Sequence, residues 1–251
     1  TVLEDYAKNI NKFNHKDVEI IVIGDIKTPK EISRYCAKIS SNYDLPIHYF
    51  SVASQSEYLK KYKKLDAYLP HNSFARRNIG DLYAYENGFD IVIRVDDDNY
   101  PTYDDFIGGH SVIGDVQEIN CISTKSKWYN VCEQLIDKDD IPFYPRGYPY
   151  SKRWLQDENT VTNKNVKIAV NAGLWLGDPD VDAITRLCKP IDAIEFSEDY
   201  GKNFCLNAGT WCPINTQNTS YHKDIIPAAF VPPNVGRYDD IWSGYLMRKV
   251  M

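Results

Sequence analysis

The sequence predicts an α/β fold with a doubly wound, mostly parallel central sheet, helices on both faces, and one domain. Three observations predict it. Short β-branched runs alternate with stretches of helical apolar spacing over the first hundred residues. The strand runs are apolar on both faces, as strands buried between helix layers are. The chain has 251 residues without repeat, low-complexity stretch or linker, which suits a single core. Such sheets bind ligands outside the carboxyl ends of their strands.

Each element follows from local chemistry. Residues 1–13 carry Val2, Leu3, Tyr6 and Ile10 at helical spacing. Residues 18–23 form a β-branched strand run ending at Gly24-Asp25. Thr28-Pro29 reads as the cap and first turn of a helix to about residue 39. A strand at 47–52 and helices at 56–68 and 72–87 follow, the last capped by Asn72 or Ser73 and stopped by Gly88. Residues 89–95 form the next strand. Past Pro101 the pattern loosens into a Pro-, Tyr- and Arg-rich loop at 142–154 and a strand at 166–170 that continues to 177. Helices are expected at 180–188, 225–230 and 239–250, with a short strand at 203–207.

The most informative residues follow strand 89–95. Asp96, Asp97 and Asp98 stand side by side at the end of an apolar strand. Three adjacent like charges require a positive partner, and Asp is depleted in strands. A hard divalent cation, Mg²⁺ or Mn²⁺, held by one or two carboxylates and a substrate's phosphates, satisfies them. Strand alternation puts Asp96 and Asp98 on one face and Asp97 on the other. An acidic surface turn is the alternative.

Other clusters carry charge in unusual company. Arg76-Arg77 lies in the preceding helix, as paired surface arginines or with one neutralising phosphate. The stretch Arg146-Gly147-Tyr148-Pro149-Tyr150-Ser151-Lys152-Arg153 presents planar guanidinium forks on stiff backbone. Asp239-Asp240 opens the last helix, as caps or as a hydroxyl-binding or proton-shuttling pair beside Trp242. Gly173 and Gly177 flank Trp175, which suggests close backbone approach by a ligand.

Composition narrows the field. A net charge of −6 argues against nucleic-acid binding. No apolar run reaches the length of a membrane span, and no signal peptide is evident. Six scattered cysteines without a CxxC pair read as free thiols in a reducing, cytoplasmic setting. Five histidines show no metal-binding spacing. Nineteen Tyr and five Trp supply core and platforms for sugar rings. The chain starts at Thr1 and stops inside a helical pattern, so trimming at one or both ends is expected.

The motifs together resemble the reversibly glycosylated polypeptides, or UDP-arabinopyranose mutases, and bacterial nucleotide-sugar mutases. The matching stretches are IRVDDDN (93–99), RGYPYSKR (146–153), NAGLWLGDPDVDA (171–183) and GRYDDIW (236–242). The resemblance implies a GT-A glycosyltransferase-like fold binding a UDP- or GDP-sugar with Mn²⁺ or Mg²⁺. Asp96 and Asp98 match the metal site, with Asp96 and Asp97 also on the nucleotide. Arg146 and Arg153 match the family's arginine pair, and Asp239 and Asp240 a carboxylate pair near the sugar. Arg77, Gly173, Trp175 and Trp242 complete the expected substrate pocket. The expected activity is metal-dependent pyranose–furanose interconversion. The alternatives are sugar transfer to an acceptor hydroxyl and a non-catalytic nucleotide-sugar-binding subunit, with homo- or hetero-oligomers possible.

Overall fold

A computed structural model describes residues 2–101, 104–155, 157–198 and 203–251. Residue 1 of the first expected helix lies outside them. The described chain is a mixed α/β assembly. In order it contains α1 (Leu3–Lys12), β1 (Ile20–Ile23), α2 (Ile32–Tyr43), β2 (Ile47–Phe50), α3 (Val52–Leu59), α4 (Lys63–Tyr68), α5 (Asn78–Glu86) and β3 (Ile91–Val95). There follow α6 (Phe106–His110), β4 (Val116–Thr124), β5 (Leu135–Asp137), β6 (Asn159–Lys167), β7 (Val170–Ala172), α7 (Ala183–Cys188), β8 (Ala193–Phe196), β9 (Phe204–Leu206), β10 (Asn218–His222) and α8 (Asp239–Val250).

The first third follows the sequence pattern closely. β1 pairs in parallel with β2, from Ile20 opposite Ile47 to Ile23 opposite Phe50. α1 and α2 bury Leu3, Ala7, Ile10, Cys36 and Ile39 against that pair. Thr28 does not cap α2. Its Oγ1 instead accepts the Asp25 N–H at 2.8 Å, closing a turn, and the helix starts at Ile32. Ser73 accepts the Ala75 N–H and starts a 3₁₀ turn (Phe74–Arg77) that runs into α5. Gly88, at φ 77°, ends it as expected.

The sheets differ from a mostly parallel centre. Among the described residues there are four small sheets, ordered β1-β2, β3-β10-β7, β6-β4-β9 and β5-β8. β3-β10-β7 is antiparallel throughout, β6-β4-β9 is mixed, and β5-β8 is antiparallel. The reason lies in the second half, where strands pair with partners distant in sequence and mostly antiparallel to them, as β10 does with both β3 and β7. β10 reads Asn-Thr-Ser-Tyr-His, so no apolar run marks it, yet Thr219, Ser220 and Tyr221 are fully buried. The expected helix at 225–230 is a turn following a short 3₁₀ segment, and the strand expected to reach 177 stops at Ala172. No helix among the described residues is long and apolar enough to cross a membrane.

β3 is the strand that positions the acidic triplet, and its one fully buried side chain is Arg94. Arg94 forms an ion pair with Asp81 of α5, its Nε 3.2 Å from Oδ1 and its Nη2 on Oδ2. Tyr221 of β10 donates to the same Asp81 Oδ1 at 2.7 Å, and its ring lies 5.2 Å from the guanidinium carbon. Arg94 Nη2 also donates to the Ala229 carbonyl at 2.8 Å, which accepts Ser243 of α8 at 2.7 Å. Burial works against the Arg94 cation, but Asp81 holds it protonated. One buried cation thus ties together β3, α5, β10 and α8.

Removing one member of a buried pair leaves an uncompensated charge, at about 3–5 kcal/mol. Asp81→Asn is expected to lower unfolding free energy by roughly that amount in urea titration. A loss well under about 1 kcal/mol, the range of exposed pairs, would show that the pair does not carry the fold.

Candidate functional site

Two arginine–carboxylate clusters meet where β3 ends and α8 begins. At the first, Asp96 follows the last residue of β3 and accepts from Arg77 Nη2 at 2.9 Å. Arg77 Nη1 donates to Thr216 Oγ1, on the segment entering β10. Its guanidinium sits 5.7 Å from the ring centre of Phe74, a side chain 71 % exposed. The neighbouring Arg76 is structural: it is buried, with Nε on Gln55 at 2.7 Å and Nη1 on the Leu69 carbonyl at 3.1 Å. Burial pushes the Asp96 carboxyl up, and the charges of Asp98 and Asp240 add to that, while Arg77 opposes it. Asp97 and Asp98 are exposed.

This end offers hard oxygen donors. Among the described residues no group of three or more His, Cys, Asp or Glu side chains is placed to hold a metal ion. Asn99, in the same turn, has a buried Oδ1 without a hydrogen-bond partner. Two carboxylates and one unpaired amide oxygen fit a Mg²⁺- or Mn²⁺-type ion whose remaining ligands are phosphate and water. They do not fit a structural zinc.

The second cluster centres on Arg146. Its Nε and Nη2 grip Asp180 in a bidentate fork, at 2.7 and 2.8 Å, and its backbone N–H donates to the Asp180 carbonyl at 2.8 Å. Nη2 also reaches Asp240 Oδ2 at 2.8 Å. Asn215 donates to Asp180 Oδ2 at 3.2 Å. Burial opposes the Arg146 charge, yet Asp180 and Asp240 hold it protonated. Among the described residues Nη1 makes no hydrogen bond, so one edge of the fork stays open for an incoming oxygen. Gly147 makes the approach possible. It adopts φ 91°, and a Cβ there would fall 2.7 Å from Ile241 Cγ2 of α8.

Asp239 and Asp240 serve two purposes. Asp239 Oδ1 accepts the Asp240 N–H and Asp240 Oδ1 accepts the Ile241 N–H, both at 2.9 Å, in the first turn of α8. The other oxygen of Asp240 meets Arg146. Burial pushes the Asp239 carboxyl up, Asp240 adds to it, and Arg77 and Arg146 pull it back. The mutual influence of Asp96, Asp240, Arg77, Arg146 and Asp239 puts both clusters in one electrostatic neighbourhood.

The remaining expected residues lie around that neighbourhood. Arg153 pairs with Asp182 at 2.7 Å and lies between the rings of Tyr150 and Tyr144, at 4.0 and 5.4 Å. Asp182 also caps α7 through the Ile184 and Thr185 N–H groups and accepts Tyr150 at 2.8 Å. Burial raises its carboxyl, but the Thr185 N–H, Tyr150 and Arg153 hold it well below the usual range. Among the described residues no hydrogen bond joins Arg153 to the Arg146 cluster. Trp242 is 54 % exposed, its ring edge-on to Tyr245. Trp175 is half-buried, with its indole N–H buried and unpartnered. Gly173 does not simply leave room for a ligand. A Cβ there would fall 2.3 Å from Asn218 Nδ2, so the missing side chain makes way for Asn218, which hydrogen-bonds His110 at 2.8 Å.

Sequence reasoning missed Asp180, Thr216 and Asn215. Asp180 stands in the quoted stretch 171–183, where its carboxylate is a signal once Arg146 is known to need partners. Thr216 and Asn215 sit in a polar segment without a chemical motif, and only folding brings them to the arginines.

The reversibly glycosylated polypeptide family model matches residues 52–251, which contain every residue of both clusters. UDP-arabinopyranose mutase 1 of Oryza sativa subsp. japonica is 32% identical over 120 residues, 43% of this chain and 28% of the relative. UDP-arabinopyranose mutase 3 of Arabidopsis thaliana is 33% identical over 113 residues, with the same two shares. The probable UDP-arabinopyranose mutase 1 of Solanum tuberosum is 28% identical over 148 residues, 54% of this chain and 34% of the relative. The matched stretches thus span about a third of these relatives' length. With four fifths of its length matched by the family model, the chain belongs to the reversibly glycosylated polypeptide family.

Proposed function

We propose that the chain is a nucleotide-sugar mutase, interconverting pyranose and furanose forms of a UDP-sugar on a GT-A-like scaffold. The observation that carries this reading is the meeting of the Arg77–Asp96 and Arg146–Asp180–Asp240 clusters. A sugar diphosphate needs cationic donors for its phosphates and carboxylates for its hydroxyls, side by side, and the two clusters supply both. The names of the relatives point to UDP-arabinopyranose as the substrate. The free cysteines suit a cytoplasmic setting.

Arg77 binds the diphosphate, held in place by Thr216 and Asp96. Asp96 and Asp98, with Asn99, would hold Mn²⁺ or Mg²⁺, which when bound neutralises charge on the diphosphate. Asp97 and the exposed Phe74 stand at the nucleotide side. Arg146, fixed by two carboxylates, turns Nη1 toward the anomeric carbon and the sugar. The bond between anomeric carbon and phosphate oxygen breaks with its electron pair on the diphosphate. A second sugar hydroxyl then bonds to the anomeric carbon as it gives up its proton, the original ring oxygen leaves that carbon and takes a proton, and the diphosphate re-forms its bond there. Asp239, with its raised carboxyl, receives and returns the hydroxyl proton in that exchange. Arg153 stiffens the loop that carries Arg146, and Trp175 and Trp242 flank the sugar.

Two measurements check this. Incubation with UDP-arabinopyranose and Mn²⁺, without acceptor, is expected to yield the furanose form on chromatography. No product until an acceptor alcohol is added would contradict the mutase reading. Asp180→Asn removes one arm of the Arg146 clamp but touches no phosphate donor. It is expected to lower turnover by about 10²-fold, the scale for loss of one preorganised electrostatic group. Affinity for UDP should stay within about twofold, less than 0.5 kcal/mol. An equal fall in UDP affinity would place Asp180 at the nucleotide instead.

A further inference from the structure

We infer that a second cleft, lined in part by the loop that carries Arg146, binds a neutral saccharide. Trp128, Tyr129, Tyr144 and Tyr148 wall it, and Glu133, Lys152 and Asp157 line it. The walls are fixed before any ligand arrives. The Trp128 carbonyl accepts from Thr124, Ser126 and Tyr148 at 3.1, 3.1 and 3.4 Å. Asp157 accepts the Ser126 N–H on both carboxylate oxygens, at 3.1 and 3.2 Å. Tyr144 accepts the Trp154 N–H at 2.7 Å.

Two charged groups of this cleft are unused. Among the described residues the side chains of Glu133 and Lys152 make neither ion pair nor hydrogen bond, although opposite charges line the same cleft. Burial and the nearby Asp157 both push the Glu133 carboxyl up, so the fold leaves it without a compensating charge. The mixture selects the ligand. Two carboxylates oppose an anion, and the Lys152 ammonium opposes a cation. An apolar ligand would strip water from these groups without returning hydrogen bonds. A sugar satisfies them all, its hydroxyls donating to Glu133 and accepting from Lys152 while its C–H faces cover the rings.

The rings also lead somewhere. From Trp154, 68 % exposed, centroid steps of 5.2, 5.0 and 5.9 Å run through Tyr144 and Tyr148 to Trp128. Steps of 6.1 and 6.3 Å continue through Tyr245 to Trp242, two residues beyond Asp240. The cleft therefore lies along an unbroken aromatic path from the surface to the last helix's acidic start. Its existence does not depend on the mutase reading.

Saturation-transfer NMR and calorimetry with arabinotetraose, cellotetraose and galactotetraose test it. At least one is expected to bind in the millimolar range with UDP and Mn²⁺ present. Lys152→Ala and Glu133→Gln should each weaken that binding at least about tenfold, 1.4 kcal/mol, while leaving UDP affinity and melting temperature unchanged. No saturation transfer from any of the three would overturn the proposal. So would binding that survives both substitutions, or binding that UDP-arabinopyranose displaces, which would place the sugar at Arg146.

Discussion

The buried Arg94–Asp81 pair is the constraint on which the site depends. An arginine inside a protein is tolerable only with its charge answered, and here Asp81, Tyr221 and the Ala229 carbonyl answer it from three separate segments. The consequence is positional. Arg94 stands two residues before Asp96. Asp81 stands four residues after Arg77. Ala229 is shared with Ser243, three residues after Asp240. A single desolvated cation thus sets the spacing between the strand, the helix and the last helix that carry the functional side chains. An apolar side chain in its place would fill space without fixing that register.

The site itself is built from charges that are compensated before a substrate arrives. Arg146 is clamped by side chains about nine tenths buried, with relative exposures of 10% and 9% across its pair with Asp180. The Lys60–Glu57 pair, at 71% and 71%, is shorter still but lies in water, where such a contact contributes little. What distinguishes the Arg146 cluster is therefore desolvation and number of hydrogen bonds. Preorganisation of this kind lowers the reorganisation needed when charge develops. Asp96 and Asp239 show the opposite condition, since burial raises both carboxyls. They are the groups that gain most from a cation or a shared proton.

The legible parts of the sequence were those governed by local chemistry. The β-branched run of β1, the Ser73 cap, the Gly88 stop and the acidic start of α8 all formed where read. Arg77 meets Asp96 and Arg146 meets Asp240, while Asp97 and Asp98 stay exposed. The mixed sheets were not legible, because β10 has polar composition and owes its burial to neighbours distant in sequence. Gly173 was read as room for a ligand, whereas Asn218 occupies that room. Asp180 escaped notice because its meaning depends on a long-range partner. Long-range pairings leave little trace in a local pattern.

The division of labour between the two clusters is the central claim, and calorimetry tests it directly. UDP and UDP-arabinopyranose are titrated, with Mn²⁺, into the wild type, Arg77→Lys and Arg146→Lys. Lysine keeps the charge but loses the planar fork. If Arg77 serves the diphosphate and Arg146 the sugar end, Arg77→Lys weakens both ligands alike, by about tenfold or 1.4 kcal/mol. Arg146→Lys then leaves UDP untouched and weakens only the sugar nucleotide. Equal loss of UDP affinity in both variants, or in neither, contradicts that division.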